Sequence, residues 1–341
     1  MSVPPPIDAW PPGWWAVCRS RDLGSRPLGV VVNGTPLAVF RDPSGTPAAL
    51  EDRCPHRMAP LSAGRATCGT IECAYHGWRF DAAGRCAAIP GLGPSDRADH
   101  ETRRVAAAQT CETGGLVFAS GTRELAPPYL GPLWGAQDCH AFVWRTTARG
   151  ALVDIAENFL DGFHTHFVHA GLIRSGSARQ RVRARVRRLS DRIEIQYTGE
   201  GQQNGLISRL FERERATTFA RFVRPAIAEL EYRSRTRIEL AISAYFTRAQ
   251  SDAVAIFAVM SVPGNALTGR LKEAAIAPFF AYALRQDRRI VELQRASIAR
   301  WGGPRFTSTR LDMMRPHIAR LLERDALPSD FEAVHEEELL L

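Results

Sequence analysis

Lysine is nearly missing from this chain of 341 residues: among 44 basic residues only Lys272 is a lysine, so a formal net charge of +8 rests on arginine. A basic balance raises the question of nucleic acid, yet these arginines are dispersed. The densest group, Arg181 to Arg188, alternates with Val and Ala as a solvated strand face would, with docking of an acidic protein as the alternative. A nucleic-acid partner is therefore not expected. Long apolar runs are missing too. No stretch of eighteen uncharged apolar residues occurs, so no membrane span is expected. The opening Met1-Ser2-Val3-Pro4-Pro5-Pro6 has neither a basic region nor an apolar one, which argues against a secretory leader and for the cytoplasm. An even, patterned cysteine framework is absent: there are seven, scattered, and Cys18, Cys68, Cys86, Cys111 and Cys139 read as free thiols in a reducing compartment. No G-x-G-x-x-G follows a strand, so the chain itself is not expected to bind NAD or FAD.

What is present is enough apolar residue, 45%, for a large core, and the length suggests two domains. Residues 1–125 read as a small all-β domain. Trp14-Trp15-Ala16-Val17 and Gly29-Val30-Val31-Val32 are β-rich, and Asn33-Gly34 before Pro36-Leu37-Ala38-Val39-Phe40 is a hairpin signal. A Pro/Gly-rich passage from Ala126 to Pro132 opens the second domain, 126–341, as a linker. There, Ala151 to Val168 recurs with helical spacing, and Val182 to Ser261 changes to alternation, as in Ile193, Ile195 and Tyr197 or Ile238, Leu240 and Ile242. Several such strands in sequence imply an antiparallel sheet with one face on a core. A long helix is expected over 267–299, interrupted or kinked at Pro278, and a last one over 309–323. The tail, Glu336-Glu337-Glu338 with three leucines, reads as frayed or subunit-docking.

Two groups of residues carry chemistry. Cys54-Pro55-His56 and Cys73-Ala74-Tyr75-His76 are two short-spaced Cys-His pairs one loop apart. Such a set closes either a structural zinc site or an iron–sulfur centre with two thiolate and two imidazole ligands; the donor atoms alone leave both open. The second group is Asn158, Asp161, His164, His166 and His169 within one apolar stretch. On a helix, Asp161 and His164 share a face, whereas His164 and His169 lie about 140° apart. They would meet at one metal only if the helix bent or ended between them.

The flanks of the first group extend the pattern: Cys54-Pro55-His56-Arg57, Leu61-Ser62, Gly64-Arg65, then C-A-Y-H-G-W-R-F-D over Cys73 to Asp81, and Gly84. This resembles the cluster motif of the Rieske non-haem iron oxygenases. Asn158, Asp161, His164 and His169 likewise match that family's N-x-x-D-x-x-H-x-x-x-x-H motif position by position. The resemblance implies that Cys54 and Cys73 bind one iron of a [2Fe–2S] cluster and His56 and His76 the other, with His164 and His169 on a mononuclear Fe(II) that takes O2 as co-substrate. It implies a third ligand on a late helix; Gln286 to Gln294 resembles that segment and makes it Asp287, with Glu292, Glu273 and Asp312 as substitutes. Asp161 is implied to orient His164 and to bridge to the cluster histidine His76 of a neighbouring chain in a head-to-tail homotrimer, with Asn158 beside it. His166 falls off the motif and reads as supporting or packing.

The implied architecture is α+β: an N-terminal all-β Rieske domain followed by a helix-grip (START-like) catalytic domain, an antiparallel sheet with long C-terminal helices. The implied activity is that of a terminal oxygenase fed by a ferredoxin or an NAD(P)H-dependent reductase. The length resembles the monooxygenases of the family, including O-demethylases and ketosteroid hydroxylases, more than the longer ring-hydroxylating dioxygenase α subunits. A small apolar, aromatic or sterol-like substrate is expected from strand-face residues such as Phe219, Phe222, Leu240, Ile242, Tyr245, Ile256 and Phe257. The rivals are a Rieske electron carrier without oxygenase activity and a lipid- or sterol-binding protein that uses the cavity alone.

Overall fold

The first hairpin follows from two adjacent residues. Asn33 and Gly34 both adopt left-handed backbone angles, φ +51° and +88°, the two-residue turn whose twist matches that of flanking strands. The structure, a computed structural model, describes residues 3–92, 103–123, 125–136, 138–174, 179–201, 205, 215–250, 252–323 and 333–341. The chain divides into two compact units, Met1–Tyr129 with Thr247–Ser251, and Leu130–Phe246 with Asp252–Leu341.

In the first unit the described strands are β1 (Trp15–Arg19), β2 (Leu28–Val32), β3 (Thr35–Arg41), β4 (Pro47–Glu51), β5 (Arg65–Thr67), β6 (Thr70–Glu72), β7 (Arg79–Phe80), β8 (Cys86–Ala88), β9 (Ala107–Thr113) and β10 (Leu116–Ser120). Six form an antiparallel sheet in the order β1-β10-β9-β4-β3-β2, and β5 to β8 form a small meander. Phe40, Leu50, Leu61, Ile71 and Phe80 make a closed core between them, and Cys54 and Cys73 are part of it.

The second unit is α+β. It contains β11 (Cys139–Arg149), α1 (Leu152–Leu160), β12 (Arg181–Arg188), β13 (Arg192–Thr198), β14 (Thr217–Val223), β15 (Ile227–Arg233), β16 (Ile238–Gln250), β17 (Ala253–Pro263), α2 (Ala266–Arg300), α3 (Arg315–Glu323) and β18 (Ala333–Leu340). The sheet order is β11-β17-β16-β15-β14-β13-β12-β18, and α2 packs against β11 and β17. Phe142, Leu240, Ile242, Met260, Ile276 and Phe280 form the core between sheet and helix. No helix among the described residues is long and apolar enough to cross a membrane. The arginine alternation behaves as expected: Val182, Ala184 and Val186 are buried while Arg181, Arg183 and Arg185 stay in solvent. Burying each valine stabilises the strand by roughly 1.5–3 kcal/mol.

Four expectations are corrected. The helix read over 151–168 stops at Leu160, because Asp161 turns extended and its carboxylate accepts the N–H groups of Phe163 (2.8 Å) and His164 (3.1 Å). A short polar side chain that satisfies the backbone in this way competes with the helix. The long helix starts with Asn265, whose side chain accepts from the N–H groups of Leu267 and Thr268, and runs through Pro278 without interruption. The last helix begins at Arg315 rather than 309, since Asp312 accepts from Thr309 N–H and holds a turn there. The glutamate-rich tail is not frayed. It is β18, paired antiparallel with β12 from Ala333 opposite Arg188 to Leu340 opposite Arg181. Its glutamates face arginines at 3.6–4.0 Å, but all are exposed, so the backbone pairing holds the strand more than the charges do.

Candidate metal centres

The two Cys-His loops are built alike. In one, Met58 N–H donates to Cys54 C=O (2.9 Å) and Cys54 N–H to Ala59 C=O (2.8 Å); in the other, Gly77 donates to Cys73 (3.0 Å) and Cys73 to Trp78 (2.8 Å). Both turns need a left-handed residue in the same place. Gly77 supplies it at φ +71°, and Met58 adopts φ +61° despite its Cβ. Both cysteines are buried, whereas His56 and His76 are exposed, their rings 4.6 Å apart. His56 stacks on Trp78 at 4.8 Å. Burial, set against the backbone N–H groups of His56 and Arg57 and reinforced by the neighbouring Cys73, pushes the Cys54 thiol up to about 11. A buried pair of thiols beside an exposed pair of imidazoles fits the donor set of a cluster with two sulfur and two nitrogen ligands.

The second centre forms after the break at Asp161. His164 to His166 make a single tight turn, and the chain returns His169 beside His164. Their Nε2 atoms lie 3.3 Å apart, and Asp287 Oδ1, on α2, is 3.3 Å from His164 Nε2 and 3.0 Å from His169 Nε2. Asp287 Oδ1 is nonetheless a buried oxygen with no well-formed hydrogen bond. Three donor atoms of metal-ligating type thus gather within 3.3 Å of one another, and this is the fit of a cation site. The outer nitrogens face acceptors as well, one of them within hydrogen-bond distance. His169 Nδ1 is bonded to Gln286 Oε1 at 2.9 Å, whereas His164 Nδ1 faces Asp161 Oδ2 at 3.5 Å, an ion-pair distance without a well-formed hydrogen bond. For His169 the acceptor keeps the proton on Nδ1 and leaves Nε2 free for a metal.

Electrostatics agree. Burial opposes a charged His164, but Asp161 and Asp287 outweigh it and hold the imidazole up to about 9. Burial likewise opposes the Asp287 carboxylate, yet His164 and His169 bring it down to about 2. A divalent cation would take over the role of that proton and leave both imidazoles neutral. Two histidines and one carboxylate are the donor set of non-haem Fe(II) sites that keep positions open for oxygen.

These side chains lie at the wall of a cavity of about 130 Å³, in which Phe159, Leu230, Leu240, Ile242, Met260 and Phe280 supply apolar surface. Asn158 and Asp161 also line it. At its polar end Arg174 and Arg215 grip Glu200 at 2.5 and 2.7 Å, all three buried, with Arg215 over the Tyr232 ring at 4.6 Å. Of the strand-face residues named from sequence, Leu240 and Ile242 line this cavity, and Ile256 lines a smaller one beside Asp287 and Asn158. Phe219, Phe222, Tyr245 and Phe257 line neither; Tyr245 packs edge-on against Trp134. The substitute carboxylates are engaged elsewhere: Glu273 with His140 (2.7 Å), Glu292 with Arg288 (3.8 Å) and Asp312 with Thr309. His166 is buried with Nδ1 3.0 Å from Arg179 Nη1, outside the three-ligand group. Sequence reasoning passed over Gln286, Arg174, Glu200 and Arg215. Only Gln286 carried a signal, its place next to Asp287.

Comparison with known proteins adds the following. The Rieske [2Fe-2S] domain family matches residues 13–110, and the vanillate O-demethylase oxygenase C-terminal domain family matches residues 151–325. The dicamba O-demethylase oxygenase component of Stenotrophomonas maltophilia is 34% identical over 162 residues, 46% of this chain and 46% of that protein. The 3-chlorobenzoate-3,4-dioxygenase oxygenase subunit of Comamonas testosteroni is 32% identical over 163 residues, 46% of this chain and 37% of that protein. The matched stretches thus span less than half the length of these relatives. A crystal structure of dicamba monooxygenase bound to dicamba shares the fold, with a TM-score of 0.75 at 21% identity over 91% of this chain and 96% of that one.

Proposed function

The chain belongs to the Rieske non-haem iron oxygenases, and on that premise we propose that it is a terminal oxygenase that hydroxylates or oxidatively demethylates a small apolar substrate. Its cofactors are a Rieske [2Fe–2S] cluster and a mononuclear iron. Cys54, Cys73, His56 and His76 would hold the first, within a domain of residues 1–125; His164, His169 and Asp287 would hold the second, within 126–341. When bound, they supply single electrons and activate O2, so that one oxygen atom enters the substrate and the other leaves as water.

The residues do the rest. Gln286 fixes which nitrogen His169 presents, and the Asp161 carboxylate shapes the turn that carries His164 and faces its outer nitrogen. The apolar wall orients the substrate and keeps bulk water from the ligands. Asn158 and Asp161 stand where the cavity meets the His164 turn. In a head-to-tail homotrimer Asp161 would also meet His76 of the partner subunit and join the two centres. Electrons would come from a separate NAD(P)H-dependent reductase, directly or through a ferredoxin, because the sequence has no dinucleotide fingerprint. The five cysteines other than Cys54 and Cys73 form no disulfide and suit a reducing cytoplasm.

The observation that carries this reading is the convergence of His164, His169 and Asp287 on one point at the wall of an apolar cavity. The test is iron and sulfide quantification with electron paramagnetic resonance of the reduced protein, then O2 uptake with methoxylated aromatics and a surrogate reductase. Iron beyond the two of a [2Fe–2S] cluster, with formaldehyde or a monohydroxylated product, is expected. Cluster iron alone would make this an electron carrier, and no iron at all a binding protein. A cis-diol product would favour a dioxygenase, the activity in the name of the Comamonas testosteroni relative.

A further inference from the structure

The tail strand ends inside the site. At the end of β18 one face is buried: Leu339 is 3% exposed and Leu341, the next residue on that face, 2% exposed. Leu340 between them is 60% exposed. Beyond the β12–β18 ladder, Leu341 exchanges two further backbone bonds with Gln180, at 2.9 and 2.8 Å. Its side chain is thereby carried to the cavity wall, against the turn that leads from Asp161 to His164. A methyl group on Gly162 would lie 3.2 Å from Leu341 Cδ1 and 3.7 Å from Cδ2. The absence of a side chain at Gly162 is what lets the leucine close in.

We propose that Leu341, held by β18 at this wall, sets the size limit of the substrate that the cavity accepts. The strand is at the sheet edge, so the leucine is fastened by one ladder only, and its isobutyl group is the part of that ladder that faces the cavity. The inference rests on the reading above only in taking this cavity as the substrate's. Removing three carbons from an anchored wall residue leaves space that neighbours fill only in part, and an apolar ligand can extend into it.

The test is calorimetric titration of the iron-loaded protein, without oxygen, with n-alkylbenzenes of increasing chain length. Leu341→Ala is expected to raise the longest chain bound by about three carbons, each added methylene tightening binding about fourfold. Leu341→Phe is expected to shorten it. Leu340→Ala, on the outer face, is expected to leave the series unchanged. Leu341→Val replaces the alanine variant if that one does not fold, with a gain of about one carbon. The proposal is overturned if the Leu341 variants keep the original length dependence, if Leu340→Ala shifts it equally, or if the protein binds none of the series. A shifted limit in a protein that consumes no O2 supports the wall assignment and refutes the oxygenase reading.

Discussion

Gln286→Leu removes the acceptor 2.9 Å from His169 Nδ1 while keeping most of the side-chain volume. His169 is 2% exposed, so its N–H would have no water to turn to. A buried donor left unsatisfied costs about 1–3 kcal/mol, and the ring loses the contact that fixes which nitrogen faces Asp287. That corresponds to an iron affinity lower by about 5- to 150-fold, the range over which outer partners of metal-bound histidines act. The assay is anaerobic Fe(II) titration of protein stripped of mononuclear iron, with the cluster absorbance as an internal check that folding and the first centre are intact. Gln286→Glu keeps an oxygen acceptor and is expected to bind iron nearly as wild type. The reasoning fails if the leucine variant binds iron at the wild-type Kd, or if the glutamate variant loses as much as the leucine one.

Asp287→Ala is expected to abolish mononuclear iron binding and substrate oxidation while the cluster spectrum persists; retained iron would move the carboxylate ligand elsewhere. Asp161→Asn keeps an oxygen for only one of the Phe163 and His164 N–H groups and loses the charge; both metals should remain while single-turnover electron transfer slows at least about tenfold, and unchanged kinetics would remove Asp161 from the path. His166→Ala should leave the iron content intact and cost about 1–3 kcal/mol in stability, read by denaturant unfolding, because a buried polar group paired with Arg179 is lost. Iron loss in that variant would bring His166 into the ligand set. On α3, burial, then Arg188, Arg320 and His335, lower His317 to about 4. Its folded form resists protonation, so the associated stability is complete above the ordinary histidine value of 6.5 and is lost as pH falls from there through about 4. His317 is only half-buried, and solvent screening reduces the size of that loss. His317→Gln should flatten the unfolding midpoint across that window, and an unchanged acid slope would assign it to other groups.

The two Cys-His loops were legible in sequence because each is a local device. Cysteine, histidine and the left-handed residue that closes the turn lie within five positions, and no distant contact is needed to shape them. The Asn33-Gly34 hairpin and the Val182, Ala184, Val186 face of β12 are of the same kind, fixed by backbone preference and by a two-residue period. The helix stop at Asp161 was less legible, since apolar recurrence continued past it while the decisive event was one carboxylate capturing two backbone N–H groups.

What only the tertiary structure decided is what meets across the fold. Gln286 reaches His169 from 117 residues along the chain. It arrives there, beside Asp287, because a continuous helix packs against β11 and β17, and a helix that broke at Pro278 would have aimed the two side chains differently. The glutamate-rich tail carries no strong strand signal of its own. It becomes β18 because β12 offers an open row of backbone donors and acceptors, and that pairing brings Leu341 to the cavity. Periodicity tells which face of a strand is apolar; where along that face the cavity lies depends on how far the opposing helix stands off. That is why Leu240 and Ile242 line it and Phe222, equally apolar, does not.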